Sequence, residues 1–276
     1  MDIGAILTIA RQELIINIRN KWTLIFAGIF SILTLSISYF GLVTAGAVGF
    51  QGFARTSASL LNLVLYVVPL VSLTMGTLSF TSEKNSSELL FSQPVARAEI
   101  LLGKLAGLFL SISVSTLLGF GFAGLVIAAN TGSQGVEKYP LFVALALLLS
   151  LIFLGFSAFV SVSCHRKAKA FGITLFLWFF YVLLFDLLVI GGTFLMKEHT
   201  ANIFLFVSLF ANPVDLVRVA SLLVLDGKEV FGVAGAMLLK FLGGKTSCYL
   251  LLLSGLTFWL VLPLFLSQQI LKRQDI

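Results

Sequence analysis

Residues 83–104 read EKNSSELLFSQPVARAEILLGK, a polar island between two long apolar runs. The island has internal order. Asn85 is placed to cap a short helix by accepting from an early backbone N–H, and Glu88 falls at the third helical position, closing a capping box at the positive helix end. Leu89, Leu90 and Phe91 give that helix an apolar side. Pro94 ends it, because the residue before a proline is driven out of the α region. A second helix is expected from about Ala96 into the next apolar run. A short, capped, half-apolar helix between two membrane segments suits docking on a partner in the cytoplasm.

The flanking runs set the class. The 276-residue chain is 59% hydrophobic and 11% charged, whereas a soluble domain is roughly 45–50% apolar and about 25% charged. Six apolar stretches, at about 22–43, 59–80, 100–129, 141–163, 171–195 and 247–270, are each long enough to cross a bilayer as a helix, which takes about 20 residues. The third exceeds the need, so it should tilt or project beyond the lipid. The runs are continuous rather than alternating, which excludes a β-barrel. The expected fold is an all-α membrane protein forming one transmembrane domain over residues 1–276.

The first twenty residues differ from the rest. Ile3, Ile6, Leu7, Ala10, Leu14 and Ile18 recur at helical spacing, while Asp2, Arg11, Glu13 and Arg19 fall on other faces. That pattern predicts a helix over residues 3–19 lying in the membrane interface. A secretory signal would need a basic start, a short apolar core and a small-residue cleavage site, and the segment does not read that way.

Orientation follows from Lys and Arg. With the N-terminus inside, the short inner connections hold Arg11, Arg19, Lys21, Lys84, Arg97, Lys104, Arg166, Lys167, Lys169, Lys272 and Arg273. Five of the seven outer basic residues lie in the long segment between spans five and six, and long loops translocate largely regardless of charge. Both termini are therefore expected in the cytoplasm, with the chain in a bacterial inner membrane. The net charge of +6 is a topology signal and implies no nucleic acid. Cys164 and Cys248 fall on opposite sides, which excludes an internal disulfide, and no zinc spacing is present.

Several residues carry possible chemistry. Asp186 sits inside span five, where a carboxylate is a functional candidate; with no basic residue in the same span, a hydrogen-bonded aspartate at a helix interface is the competing reading. Pro69 and Pro263 are expected to kink spans two and six. Gly103 and Gly107 form one small-residue row and Gly41, Ala45 and Gly49 another, both of the kind that permits close helix contact. Met196 and His199 stand three apart at the outer end of span five, a spacing that puts thioether and imidazole on one helix face and suits Cu(I). Cys164-His165 is followed by Arg166 and Lys167, and adjacent positive charge favours a basic anchor over a metal site. Gly243-Gly244-Lys245-Thr246 ends like a phosphate-binding loop, but Leu239 stands where that motif needs glycine. Between spans five and six, Asn212 caps a helix that Pro213 opens. Two short, non-spanning helices leaning on the bundle from outside are expected there, with Asp186, Asn212 and Pro213 as a candidate path or gate.

The stretch SEKNSSELLFSQPVARAEILLGKLAG resembles the signature of type-2 ABC exporter permeases, in which an acidic, leucine-rich coupling helix joins spans two and three before a Pro, a basic residue and Gly-Lys. ANPVDLVRVA at 211–220 is similar to a motif of that family near its outer helices. Ser86-Ser87 replace the Gly-Thr that many members carry. The resemblance implies a homodimer in the lipid bilayer and no catalytic group of its own. ATP and Mg would be bound by a separate cytoplasmic ABC ATPase, docked on Asn85, Glu88, Leu89, Leu90, Phe91, Pro94 and Arg97, with His165 and Arg166 in a lesser contact. It also implies an extracytoplasmic partner and, on whole-chain likeness, a part in assembling the copper centres of nitrous oxide reductase, with copper as cargo and no cofactor held by the chain. A secondary transporter or a non-transporting assembly factor is the alternative. The first is disfavoured by the scarcity of mid-membrane charge. A membrane enzyme would need paired acid–base or nucleophilic groups at one depth, and two histidines on opposite sides cannot supply them.

Overall fold

A computed structural model describes residues 2–45, 50–82, 96–131, 136–164, 166–225 and 245–273. Every element among the described residues is a helix. In chain order they form α1 (Ile3–Ile18), α2 (Lys21–Ala45), α3 (Phe50–Ser82), α4 (Arg97–Thr131), a 3-10 turn (Val136–Lys138) and α5 (Tyr139–Ser163). There follow α6 (Lys167–Phe179), a π-helical turn (Phe180–Leu184), α7 (Phe185–Phe194), α8 (Glu198–Ala211), α9 (Pro213–Val224) and α10 (Lys245–Arg273). Six helices are long and apolar enough to cross a membrane, with α6, the π turn and α7 counting as one. They coincide with the six expected runs. α4 has 35 residues, hence a length of about 52 Å, so it outlasts a hydrocarbon layer of about 30 Å, as expected.

The core forms around α5, which is apolar on nearly every side and is the most deeply buried of the spans. Phe142, Leu149, Ile152, Phe153 and Leu154 are all inaccessible. Small residues let neighbours approach it closely. Gly76 of α3 leaves no room for a side chain beside Ser157, and Gly155 faces the ring of Pro263. Pro69 and Pro263 both lie inside continuous helices, so the expected kinks do not break either span. Span five is the least covered: Phe176, Phe179, Leu187, Leu188 and Ile190 face outward as an apolar band.

α1 leaves most of its apolar stripe outward, free to face lipid, and packs on the bundle through another face. Ile3, Leu7 and Ile18 are exposed, whereas Ala10, Glu13 and Asn17 are the residues it buries. The reason lies in the Gly103–Gly107 row of α4, which accepts α1 along its length. A Cβ on Gly103 would stand 2.8 Å from Ile9 Cβ, and one on Gly107 2.5 Å from the Ala10 carbonyl oxygen. Contacts step in parallel from Asp2–Glu99 through Ile9–Gly103 to Ala10–Gly107. The coupling segment with Asn85, Glu88, Leu89, Leu90, Phe91 and Pro94 lies outside the described residues, as do His165, Gly49 and the Gly243–Lys245 stretch up to Gly244.

Candidate functional site

Two polar clusters interrupt the apolar bundle. The first forms where α8 and α9 meet at 101°. Asn212 occupies the corner, fully buried. Its Oδ1 accepts from Val214 N at 2.9 Å, capping α9, and Pro213 opens that helix, as the sequence indicates. Its Nδ2 donates to the Tyr181 carbonyl at 3.0 Å. Tyr181 lies in the π turn, where bonds skip an extra residue and disturb the usual carbonyl pairing. The corner therefore satisfies a backbone group in the middle of span five. On the other side Trp259 Nε1, midway along α10, donates to the Phe210 carbonyl at 2.9 Å. Both contacts place the α8–α9 corner at the mid-depth of the spans. It enters the bundle instead of leaning on it from outside, and its backbone can do so because protein groups meet its polar atoms.

This entry supplies what span five lacks. Arg218 of α9 donates from Nη1 to Asp186 Oδ2 at 3.0 Å and to Asp215 Oδ1 at 2.6 Å. Asn212 Nδ2 also donates to Asp215 Oδ2 at 3.0 Å. Two carboxylates thus share one guanidinium, and the cluster ties span five to a helix that does not cross. The side chains of Asp186 and Arg218 remain 34% and 30% exposed, so the pair borders the surface of the chain instead of being sealed in the core. A pair at that depth needs cover other than lipid tails.

The second cluster lies where α3 ends and α4 begins. Glu13 of α1 is 5% exposed, and its Oε1 accepts from Asn17 Nδ2 at 2.7 Å and from the Ser79 hydroxyl of α3. Lys104 of α4, also 5% exposed, donates to the Ser79 carbonyl at 3.3 Å and sits over the Phe80 ring. Glu99 Oε1 accepts from Asp2 N at 2.6 Å, while its Oε2 accepts from Ala96 N at 3.1 Å, capping α4 from within. Arg97 donates to the Leu271 carbonyl at 2.8 Å, a cation at the negative end of α10. Arg166 is exposed in the turn that leads into α6.

Met196 and His199 are both exposed but do not share a helix face: α7 ends at Phe194, Met196 lies in the link, and His199 stands in the first turn of α8. Among the described residues no cluster of three or more His, Cys, Asp or Glu is placed to hold a metal ion. Of the expected gate residues, Asp186 and Asn212 join one network and Pro213 positions it. Arg218, Asp215, Tyr181, Glu13, Ser79 and Lys104 were not expected. The Asp215–Arg218 spacing of three on a capped helix was the available signal for the first two.

Comparison with known proteins agrees with this architecture. The profile of the ABC-2 family transporter proteins matches residues 7–276. The chain is 35% identical over 232 residues to the "Probable ABC transporter permease protein NosY" of Pseudomonas aeruginosa, covering 82% of this chain and 84% of that protein. It is 34% identical over 227 residues to the protein of the same name from Stutzerimonas stutzeri, covering 79% and 82%.

Proposed function

The chain belongs to the ABC-2 transporter family as a multi-pass permease related to NosY, and from that premise we propose that it serves assembly of the copper centres of nitrous oxide reductase. It passes ATP-driven movement from a separate NosF-like cytoplasmic ATPase across the inner membrane to a NosD-like extracytoplasmic protein. Similarity over about four-fifths of the chain to two proteins named NosY carries this reading.

In this scheme two copies pair, both termini are cytoplasmic, and residues 83–95 dock on the ATPase through Leu89, Leu90 and Phe91. Glu88 fixes the start of that helix, and Pro94 leads its motion into α4. Arg97, His165 and Arg166 make the lesser contacts. Asp186, Asn212 and Pro213 hold the entering hairpin and act as the outward gate, with Arg218 as its pin. Met196 and His199, both exposed at the far end, lend Cu(I) donors to a site completed by the extracytoplasmic partner. Copper, when it is the cargo, is substrate and not a resident cofactor.

Deletion of the gene in its native host tests the reading. Nitrous oxide reductase purified from that strain should lack copper by elemental analysis and regain it on complementation. Full copper content in the deletion strain would overturn the proposal.

A further inference from the structure

The second cluster brackets the coupling segment. Ser79 stands three residues before the end of α3, and Lys104 stands eight residues into α4. Those are the two stems between which residues 83–95 run. Four connections join the stems to α1 or to each other: Glu13 to Ser79, Lys104 to the Ser79 carbonyl, Asp2 to Glu99, and the backbone of α1 against Gly103 and Gly107. We propose that α1 is a strap that locks the ends of α3 and α4 into one rigid body, and that Glu13 is the positioning residue of that strap. The proposal rests on the reading that residues 83–95 meet the ATPase.

The chemistry of Glu13 supports a clamp over a membrane-surface helix. A helix that only floats in the interface would turn its ionised residues to water. Here Glu13 faces the bundle, and a carboxylate removed from water must be met by donors. It is met by Asn17 from its own helix and by Ser79 from α3. Ser79 in turn presents its carbonyl to the Lys104 ammonium. One serine therefore stands between an acid of α1 and a base of α4, so none of the three helices can slide without parting a buried polar contact. The two glycines add a steric condition. With no Cβ at 103 or 107, α1 lies against the α4 backbone, and small lateral shifts are blocked by Ile9 and Ala10.

The strap makes two opposite forecasts in the complete complex reconstituted with its ATPase in nanodiscs. Removing Glu13 should loosen the stems, whereas fastening α1 to α4 should change nothing. Glu13→Ala should lower the permease-dependent stimulation of ATP hydrolysis at least fivefold with the KM for ATP unchanged. Glu13→Gln, which still accepts from Ser79, should stay within twofold of the parent.

For the fastening arm, Ile9→Cys and Gly103→Cys are combined in a background with Cys164→Ala and Cys248→Ala, then oxidised. A Cβ at 103 would stand 2.8 Å from that of Ile9, inside the roughly 3.5–4.5 Å that a disulfide spans, so α1 gives by about 1 Å in this variant and the comparison is made between its own oxidised and reduced forms. Stimulation in the oxidised sample should match the reduced sample within twofold. A tenfold loss on oxidation that reverses on reduction would mean α1 slides over α4 and would overturn the strap. Wild-type stimulation in Glu13→Ala would overturn it as well. Leu90→Asp run alongside separates the two levels: retained stimulation there removes the docking reading itself, whereas lost stimulation there with a normal Glu13→Ala removes only the strap.

Discussion

Arg218 Nη1 stands 3.0 Å from Asp186 Oδ2, joining a helix that does not cross the bundle to the middle of one that does. The two residues are 32 apart in sequence and meet only because the α8–α9 corner enters to the depth of Tyr181 and Trp259. The same guanidinium holds Asp215 at 2.6 Å. A charge shared by two acids at this depth makes the hairpin part of the bundle, and its loosening requires partners to be exchanged.

Arg218→Ala should therefore destabilise the protein. Removing one partner of a sealed buried pair costs about 3–5 kcal/mol; the partial exposure here lowers the expectation to about 1–3 kcal/mol. Thermal unfolding of the purified chain in detergent reads the effect. Replacing all three charges together (Asp186→Asn, Asp215→Asn, Arg218→Gln) should recover more than half of the loss. An equal loss in the triple variant would assign the effect of Arg218 to packing.

Asn212→Ala should cost about 1–3 kcal/mol, since it removes both the cap of α9 and the donor to the Tyr181 carbonyl. Asn212→Asp keeps the capping acceptor but sets a carboxylate beside Asp215 and a carbonyl, and should be the worse of the two. Unfolding temperatures in the order parent, Ala, Asp are expected; Asp at or above Ala would remove the donor role.

The long spans were legible because continuous apolar length is a property of the chain alone. The corner was legible too, as Asn-Pro has a local meaning. Its depth was not, because nothing in residues 211–213 reports the Tyr181 carbonyl that receives Asn212, and FYVLL carries no composition that marks a π turn. The partner of α1 was hidden for a related reason. Periodicity ranks residues by polarity, while the glycine row of α4 and the partners at Ser79 made it favourable to bury Glu13 and Asn17. The coupling residues from Asn85 to Pro94 lie outside the described residues, so their reading still stands on the sequence and the family.

Topology is checked by cysteine labelling in whole cells, in a background without native cysteines. Leu195→Cys, which is 90% exposed beyond the end of α7, should react with an impermeant maleimide added outside. Lys169→Cys and a cysteine at residue 88 should react only after permeabilisation. Outside labelling of residue 88 in intact cells would invert the whole arrangement.

Replacing Met196 and His199 together, as Met196→Leu and His199→Gln, should lower the copper content of nitrous oxide reductase while ATP hydrolysis by the complex stays at the parental rate. Reductase with full copper in the double variant would remove both residues from the proposed path.

The most direct measurement is ATP hydrolysis by the purified permease–ATPase complex carrying Leu90→Asp. The substitution forces a charge into an apolar contact, at a cost on the order of 2–5 kcal/mol if that contact is dry. The chain should still insert and pair, but the ATPase should dissociate or cease to respond to it, with reductase maturation lost. Parental assembly, parental hydrolysis and full maturation in Leu90→Asp would contradict the assignment of residues 83–95 as the link between ATPase and membrane.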